Sequence, residues 1–154
     1  MTHSETIIDR AQELANLGDS TDETVEFLSE AILRTAAQRM EAEMGSQDYG
    51  NYVTMFDENV YNASLAYHSM TSSQKKLYSL ESAETYFSLY YLALALKEMQ
   101  KGNVFLDRYE TGTEGRSIAP SSIDKIFKMR SGYLNEAINI VENSIGIGSM
   151  MVVM

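Results

Sequence analysis

The stretch Glu84 to Gly102, ETYFSLYYLALALKEMQKG, constrains this chain more than any other. From Tyr86 to Leu96 it is apolar nearly all round, and a helix of that kind has to be enclosed by the rest of the protein. At roughly 20 residues it would run about 30 Å, more than one partner helix covers, so amphipathic helices on either side of it in the sequence are expected to wrap it. The apolar run is too short for a membrane span, which needs about 20 apolar residues, and Glu84 and Lys97 bound it. It reads as the core helix of a soluble protein, with Leu92 and Leu94, on different sides of the helix, both expected to be buried.

A chain of 154 residues with 44% hydrophobic content is expected to be one domain with a real core, needing neither disulfide nor structural metal. The absence of cysteine excludes a disulfide framework, a thiol nucleophile and cysteine zinc sites, and fits a protein made in a reducing cytosol. With no Trp and a single Pro, long helices are permitted. Glu5 and Asp9 stand where a secretory signal would be cationic and then apolar, so the product is expected to stay inside the cell. The net charge of −10 is unevenly spread: residues 1–58 hold 13 of the 22 acids but 3 of the 12 bases. An acidic surface serves solubility; the asymmetry also suits a head-to-tail electrostatic contact between subunits.

Taken in order, Ser4 can cap a first helix with Ile7, Ile8, Ala11, Leu14 and Ala15 on one stripe and Gly18 as its stop. Ser20 to Glu23 reads as a capping box opening a second helix, with Val25, Leu28, Ile32, Ala36 and Met40 on one face and Gly45 at its end. Periodicity lapses from Ser46 to Phe56, which reads as a loop with a short strand at Tyr52 to Met55 as an option. Asp57 then caps a third helix through about Ser69, and Thr71 to Gln74 forms another capping box. Pattern alone leaves open whether the helix runs unbroken from there into the central one or restarts near Ser82. Residues 103–120 form a long loop or a β-hairpin, Val104–Tyr109 against Arg116–Ala119. Pro120 launches the last helix, striped by Ile123, Ile126, Phe127, Leu134, Ala137, Ile138 and Val141. The fold class is therefore all-α: four to five helices around a buried central helix at about 82–101, residues 1–144 forming one domain and 145–154 an extended apolar tail.

No catalytic constellation is visible, and no cofactor or metal is implied. Neither His3 nor His68 has a Glu three residues before it, so the paired Glu-x-x-His sites of di-metal bundles are missing. Glu81 and Glu84 lie three apart and could act as paired carboxylates, but the macrodipole already favours acids where a helix opens. His68, on the partly apolar third helix, reads as a structural histidine. Tyr86, Tyr90 and Tyr91 read as packing residues before groove residues. Lys125, Lys128 and Arg130, with Arg108 and Arg116, form either scattered solvated charge or a basic patch facing an acidic protein surface. The tail, Ile145, Ile147 and Met150, Met151, Val152, Val153 and Met154, is apolar with strand propensity, so it should be docked, on a partner's sheet edge or groove or back on its own helices.

The opening TIIDRAQEL, with Ile7, Ile8, Asp9, Arg10 and Ala11, the Ala- and Leu-rich Ala83 to Leu96, the long loop, the last helix and the apolar extension together resemble head-to-tail adaptor (connector, head-completion) proteins of tailed bacteriophages. That resemblance implies a structural virion protein at the head-tail neck, made in the host cytoplasm and not an enzyme. It implies a ring, of twelve copies, beneath the portal, contacting portal and tail proteins. The C-terminal extension would dock on the portal through Ile145, Ile147 and Met150–Met154. Arg108, Tyr109, Arg116, Lys125 and Lys128 would face a neighbouring subunit or the tail, and the acidic surface would let DNA slide past. A helical protein-binding or regulatory module of the cytoplasm is the alternative.

Overall fold

In the computed structural model the described residues are 3–14, 27–57, 67–102 and 120–146. They form five α-helices and no strand: α1 (His3–Leu14), α2 (Glu30–Met44), α3 (Ser46–Asp57), α4 (Ser72–Gly102) and α5 (Pro120–Val141). The all-α bundle around a central helix is as the sequence indicates, and that helix is longer than expected. It runs unbroken for 31 residues. Its start is the Thr71–Gln74 box: the Gln74 amide donates to Thr71 Oγ1 at 3.2 Å and the Thr71 amide to Gln74 Oε1 at 2.8 Å, satisfying two otherwise orphaned donors.

The bundle is organised by α4, with α5, α2 and α1 packed on it. α5 returns antiparallel along its length: Lys97 Nζ meets Asp124 Oδ1 at 3.1 Å near one end, Tyr86 stacks on Tyr133 with centroids 6.0 Å apart in the middle, and Leu77 and Leu80 share a cluster with Val141 near the other. One apolar cluster joins Ala11, Phe27 and Leu28 to Leu89, Leu92, Ala93 and Leu96 of α4 and to Ile123, Ile126 and Tyr133 of α5. A second joins Ala36, Met40, Met44 and Tyr52 to Leu77, Leu80, Ala83 and Phe87, with Ala137 and Val141. Enclosure of α4 is incomplete. Leu92 is fully buried, but Leu94, with Tyr91 and Ala95, lies on a half-buried face.

Three boundaries differ from the sequence reading. Phe27–Ser29 is not helical, so no helix runs from Ser20 through to Gly45. α2 opens at Glu30, where extended Ser29 (φ −95°, ψ 166°) accepts from the Ile32 amide at 3.3 Å, a strong local cap. Leu28 belongs to the core from outside the helix. Second, Ser46 to Asp57 is a helix, not a loop or strand. Gly45, at φ 91°, donates its amide to Glu41 O at 2.8 Å to close α2 while its carbonyl accepts from the Tyr49 amide at 3.0 Å to start α3. Gly50 disfavours a helix by about 1 kcal/mol, and burial of Tyr52, at the i+3 position from Tyr49, outweighs it. Third, Asp57 is the last residue of α3 rather than a cap, and Tyr67–Ser69 is a single 3₁₀ turn. α5 begins at Pro120 as expected and runs into a π turn, Glu142–Gly146. Ala15, Gly18, the Ser20–Glu23 box, the loop or hairpin after Gly102 and the tail beyond Gly146 lie outside the described residues.

Candidate functional site

Glu81 and Glu84 are not helix-opening acids. α4 begins at Ser72, and both carboxyls lie in its interior, 1% and 3% exposed, among Ser82, Thr85 and Ser88, which are also buried. Burying polar groups is unfavourable unless they are hydrogen-bonded, and this segment is arranged accordingly. The hydroxyls of Ser82, Thr85 and Ser88 each donate to the carbonyl four residues back, at 3.0, 2.8 and 3.0 Å. Tyr52 of α3 donates its hydroxyl to Glu84 Oε1 at 2.6 Å, a short charge-assisted bond. Burial and the neighbouring Glu84 push the Tyr52 pKa well above the usual phenol value, so it stays a donor.

Arg10 of α1 completes the cluster from the other side, 8% exposed. Its guanidinium lies 3.6 Å over the Tyr78 ring, Nη2 donates to the Tyr78 carbonyl at 3.1 Å, and the same nitrogen is 4.0 Å from Glu81 Oε2. Three helices thus meet through one polar seam: Arg10 from α1, Tyr52 from α3, and Tyr78, Glu81 and Glu84 from α4. An open cleft of about 220 Å³ borders it, lined by Ile7, Glu30, Leu33, Arg34, Ala37, Tyr49 and Glu84. Tyr49 is held protonated to about pH 12, by burial first and then by Glu84 and Glu41. No group of three or more His, Asp and Glu side chains comes together to hold a metal among the described residues.

The other candidates are dispersed. Lys125 and Lys128 are exposed on α5, whereas Arg108, Tyr109, Arg116, Ile147 and Met150–Met154 lie outside the described residues, and Ile145 is described only as backbone of the π turn. Arg130 is tied to its own helix, its guanidinium 3.8 Å over the Phe127 ring and Nη1 2.7 Å from the Phe127 carbonyl. His68 is exposed on the 3₁₀ turn instead of sitting on a helix as a structural histidine. Tyr91 packs as expected, accepting at 3.2 Å from Arg39 Nη1. Tyr86 both stacks on Tyr133 and lines a shallow groove with Leu14, Lys128, Met129, Gly132 and Glu136.

The residues missed by the sequence reading carried a usable signal. Arg10 stands on the buried stripe of α1 between Ile7 and Leu14, and a cation on an apolar stripe requires an acid opposite it. Glu81 is the acid that answers it, at 4.0 Å. No protein-family model, no curated protein and no solved structure matches this chain. What the fold and site define is an all-α bundle held by a buried carboxylate, phenol and guanidinium cluster.

A pH dependence follows from the tyrosines. Tyr49 and Tyr133 are both pushed up to about 12, each mainly by burial, while an unfolded tyrosine titrates near 10. The folded state therefore holds these protons more tightly. Their contribution is complete below pH of about 10 and is lost as pH rises through about 12. Urea midpoints should fall between pH 9.5 and 11.5, and less steeply in a Tyr49→Phe, Tyr133→Phe variant; equal slopes for the two proteins would contradict this assignment.

Proposed function

We propose that this chain is a structural subunit that assembles side by side into a ring, of the kind that joins the portal to the tail of a tailed phage. The observation carrying this reading is the placement of charge on the bundle. α2 and α3 are net acidic, with Glu30, Glu41, Glu43, Asp48 and Asp57 against Arg34 and Arg39, and α5 is net basic, with Lys125, Lys128 and Arg130 against Asp124 and Glu136. α2 and α5 each pack extensively on α4 and only slightly on each other, so they flank the central helix on different sides. Opposite charge on two different faces of one subunit favours a heterologous contact, which closes into a ring when the rotation allows. The apolar segment 145–154 serves in this reading as the portal-docking element, and Arg108, Tyr109 and Arg116 join the lysines at the subunit or tail contact.

Light scattering with and without a portal-type ring tests it, since many such subunits assemble only on their partner. Binding is expected to weaken as salt rises from about 0.05 to about 0.5 M, because exposed contacts are screened beyond about a Debye length. Lys125→Glu with Lys128→Glu should weaken it similarly, and removal of 145–154 should leave melting unchanged while abolishing binding. Association indifferent to salt, charge reversal and truncation would rule the reading out.

A further inference from the structure

We propose that the exposed face of α5 centred on Gly132 is a two-fold, antiparallel contact between two copies of the free subunit, with Lys128 of each copy seated against Glu136 of the other. Gly132 is the first observation. It stands in the interior of a 22-residue helix, where glycine is the least favourable residue after proline. Its backbone is helical, and a Cβ added there would meet nothing within 4 Å. Neither conformation nor packing inside the subunit calls for a glycine. What it keeps open is the outer surface, where a missing side chain lets a second backbone approach closely.

The charges on either side of the notch choose the partner. Lys128 and Glu136 each lie four residues from Gly132, on the same face of the helix and about 6 Å along it in opposite directions. Both are exposed, and neither makes an ion pair or hydrogen bond among the described residues. Across a two-fold axis at Gly132, a residue four places before the glycine meets the residue four places after it in the other copy. Lys128 therefore meets Glu136 twice, once on each side of the axis. A parallel pairing would set lysine against lysine and glutamate against glutamate. Each lysine also has a place to lie. Beside Gly132 runs a groove of about 370 Å³ lined by Leu14, Tyr86, Met129, Tyr133 and Glu136. Burial first, and then the Glu136 carboxylate, raise the Tyr86 pKa, so that carboxylate lies near the Tyr86 hydroxyl. A lysine stem fits along the stacked Tyr86 and Tyr133 rings with its ammonium at Glu136. Lys128 is also assigned to the ring contact, and one side chain serves one contact at a time, so this dimer belongs to the free subunit and gives way on assembly. The inference stands whether or not a ring forms, and it is tested without a portal.

A contact of this size falls at the weak end, with Kd on the order of 0.1 mM, so sedimentation equilibrium of the free chain should show monomer and dimer between about 0.02 and 1 mM. Gly132→Leu fills the notch with a better helix former. It should raise the melting temperature in dilute solution and leave only monomer, a combination that damage to the fold cannot give. Lys128→Glu and Glu136→Lys should each weaken dimerisation about tenfold or more, and the chain carrying both should recover it, because the pairs are remade with their signs exchanged. The chain has no cysteine, so single cysteines report on the axis directly. Gly132→Cys should close a disulfide with its own copy, whereas Asn139→Cys, exposed on the same helix but about 21 Å from its counterpart across the axis, should not. A chain that stays monomeric at the highest concentration, a double charge variant that recovers nothing, or equal crosslinking at 132 and 139 overturns the proposal.

Discussion

Leu92→Ala is expected to lower the unfolding free energy by about 2–5 kcal/mol, the range for deleting a leucine from a core that relaxes only partly. Leu92 is fully buried, packed in the cluster that joins Ala11 and Leu28 to Ile123 and Ile126. Removing it opens a void where α1, the segment before α2, and α5 converge on α4, so no single helix can move in to fill it. Leu94 is the internal comparison. It lies two residues on, on the half-buried face, and its truncation should cost about half as much or less, since it gives up less burial and leaves a gap that water reaches. Urea denaturation measures both, and midpoints should shift with slopes unchanged. Leu94→Ala proving the costlier of the two would show that this face of α4 is the enclosed one.

Arg10→Met should be of similar size, about 3–5 kcal/mol, by a different mechanism. Removing one partner of a buried ionic cluster leaves the other charge buried without compensation, and that penalty exceeds the worth of the pair itself. The 4.0 Å separation from Glu81 is at the outer limit of an ion pair, so part of the effect comes from the guanidinium's stacking on Tyr78 and its bond to the Tyr78 carbonyl. A double variant, Arg10→Met with Glu81→Leu, should recover a good part of the loss, because the buried acid that remains, Glu84, keeps its bond from the Tyr52 hydroxyl. Lys101→Ala is the control. Lys101 and Glu98 are 3.3 Å apart but 65% and 74% exposed, and pairs of that kind contribute about 0–1 kcal/mol. Additivity of Arg10→Met and Glu81→Leu would show that the two side chains are not coupled.

Both substitutions probe features that differ in how far they could be read from the chain. Leu92 lies in the apolar run that makes α4 a core helix in any arrangement, and its burial needs only that something enclose it. The burial of Glu81 needs particular partners. Arg10 is far from it in sequence, and nothing within one helical turn of Glu81 signals that an arginine will lie opposite. Glu84 likewise depends on Tyr52, and Tyr52 reaches it only because Ser46–Asp57 is helical.

What the sequence determined by itself is the set of features whose interactions close within four residues or follow from one uninterrupted pattern. The Thr71–Gln74 box, the stop at Gly45, the start at Pro120 and the apolar stripes of α4 and α5 are of this kind. Tertiary structure alone decided the rest. It made a helix of Ser46–Asp57 against the preference of Gly50, because burying Tyr52 under α4 outweighs about 1 kcal/mol of propensity. It left Leu94 half-covered, because α1, α2 and α5 flank α4 without surrounding it. It also drew Arg10, Tyr52, Glu81 and Glu84 into one buried seam. A charged side chain in sequence reads as solvated, and only the position of its counterpart on another helix makes burial tolerable.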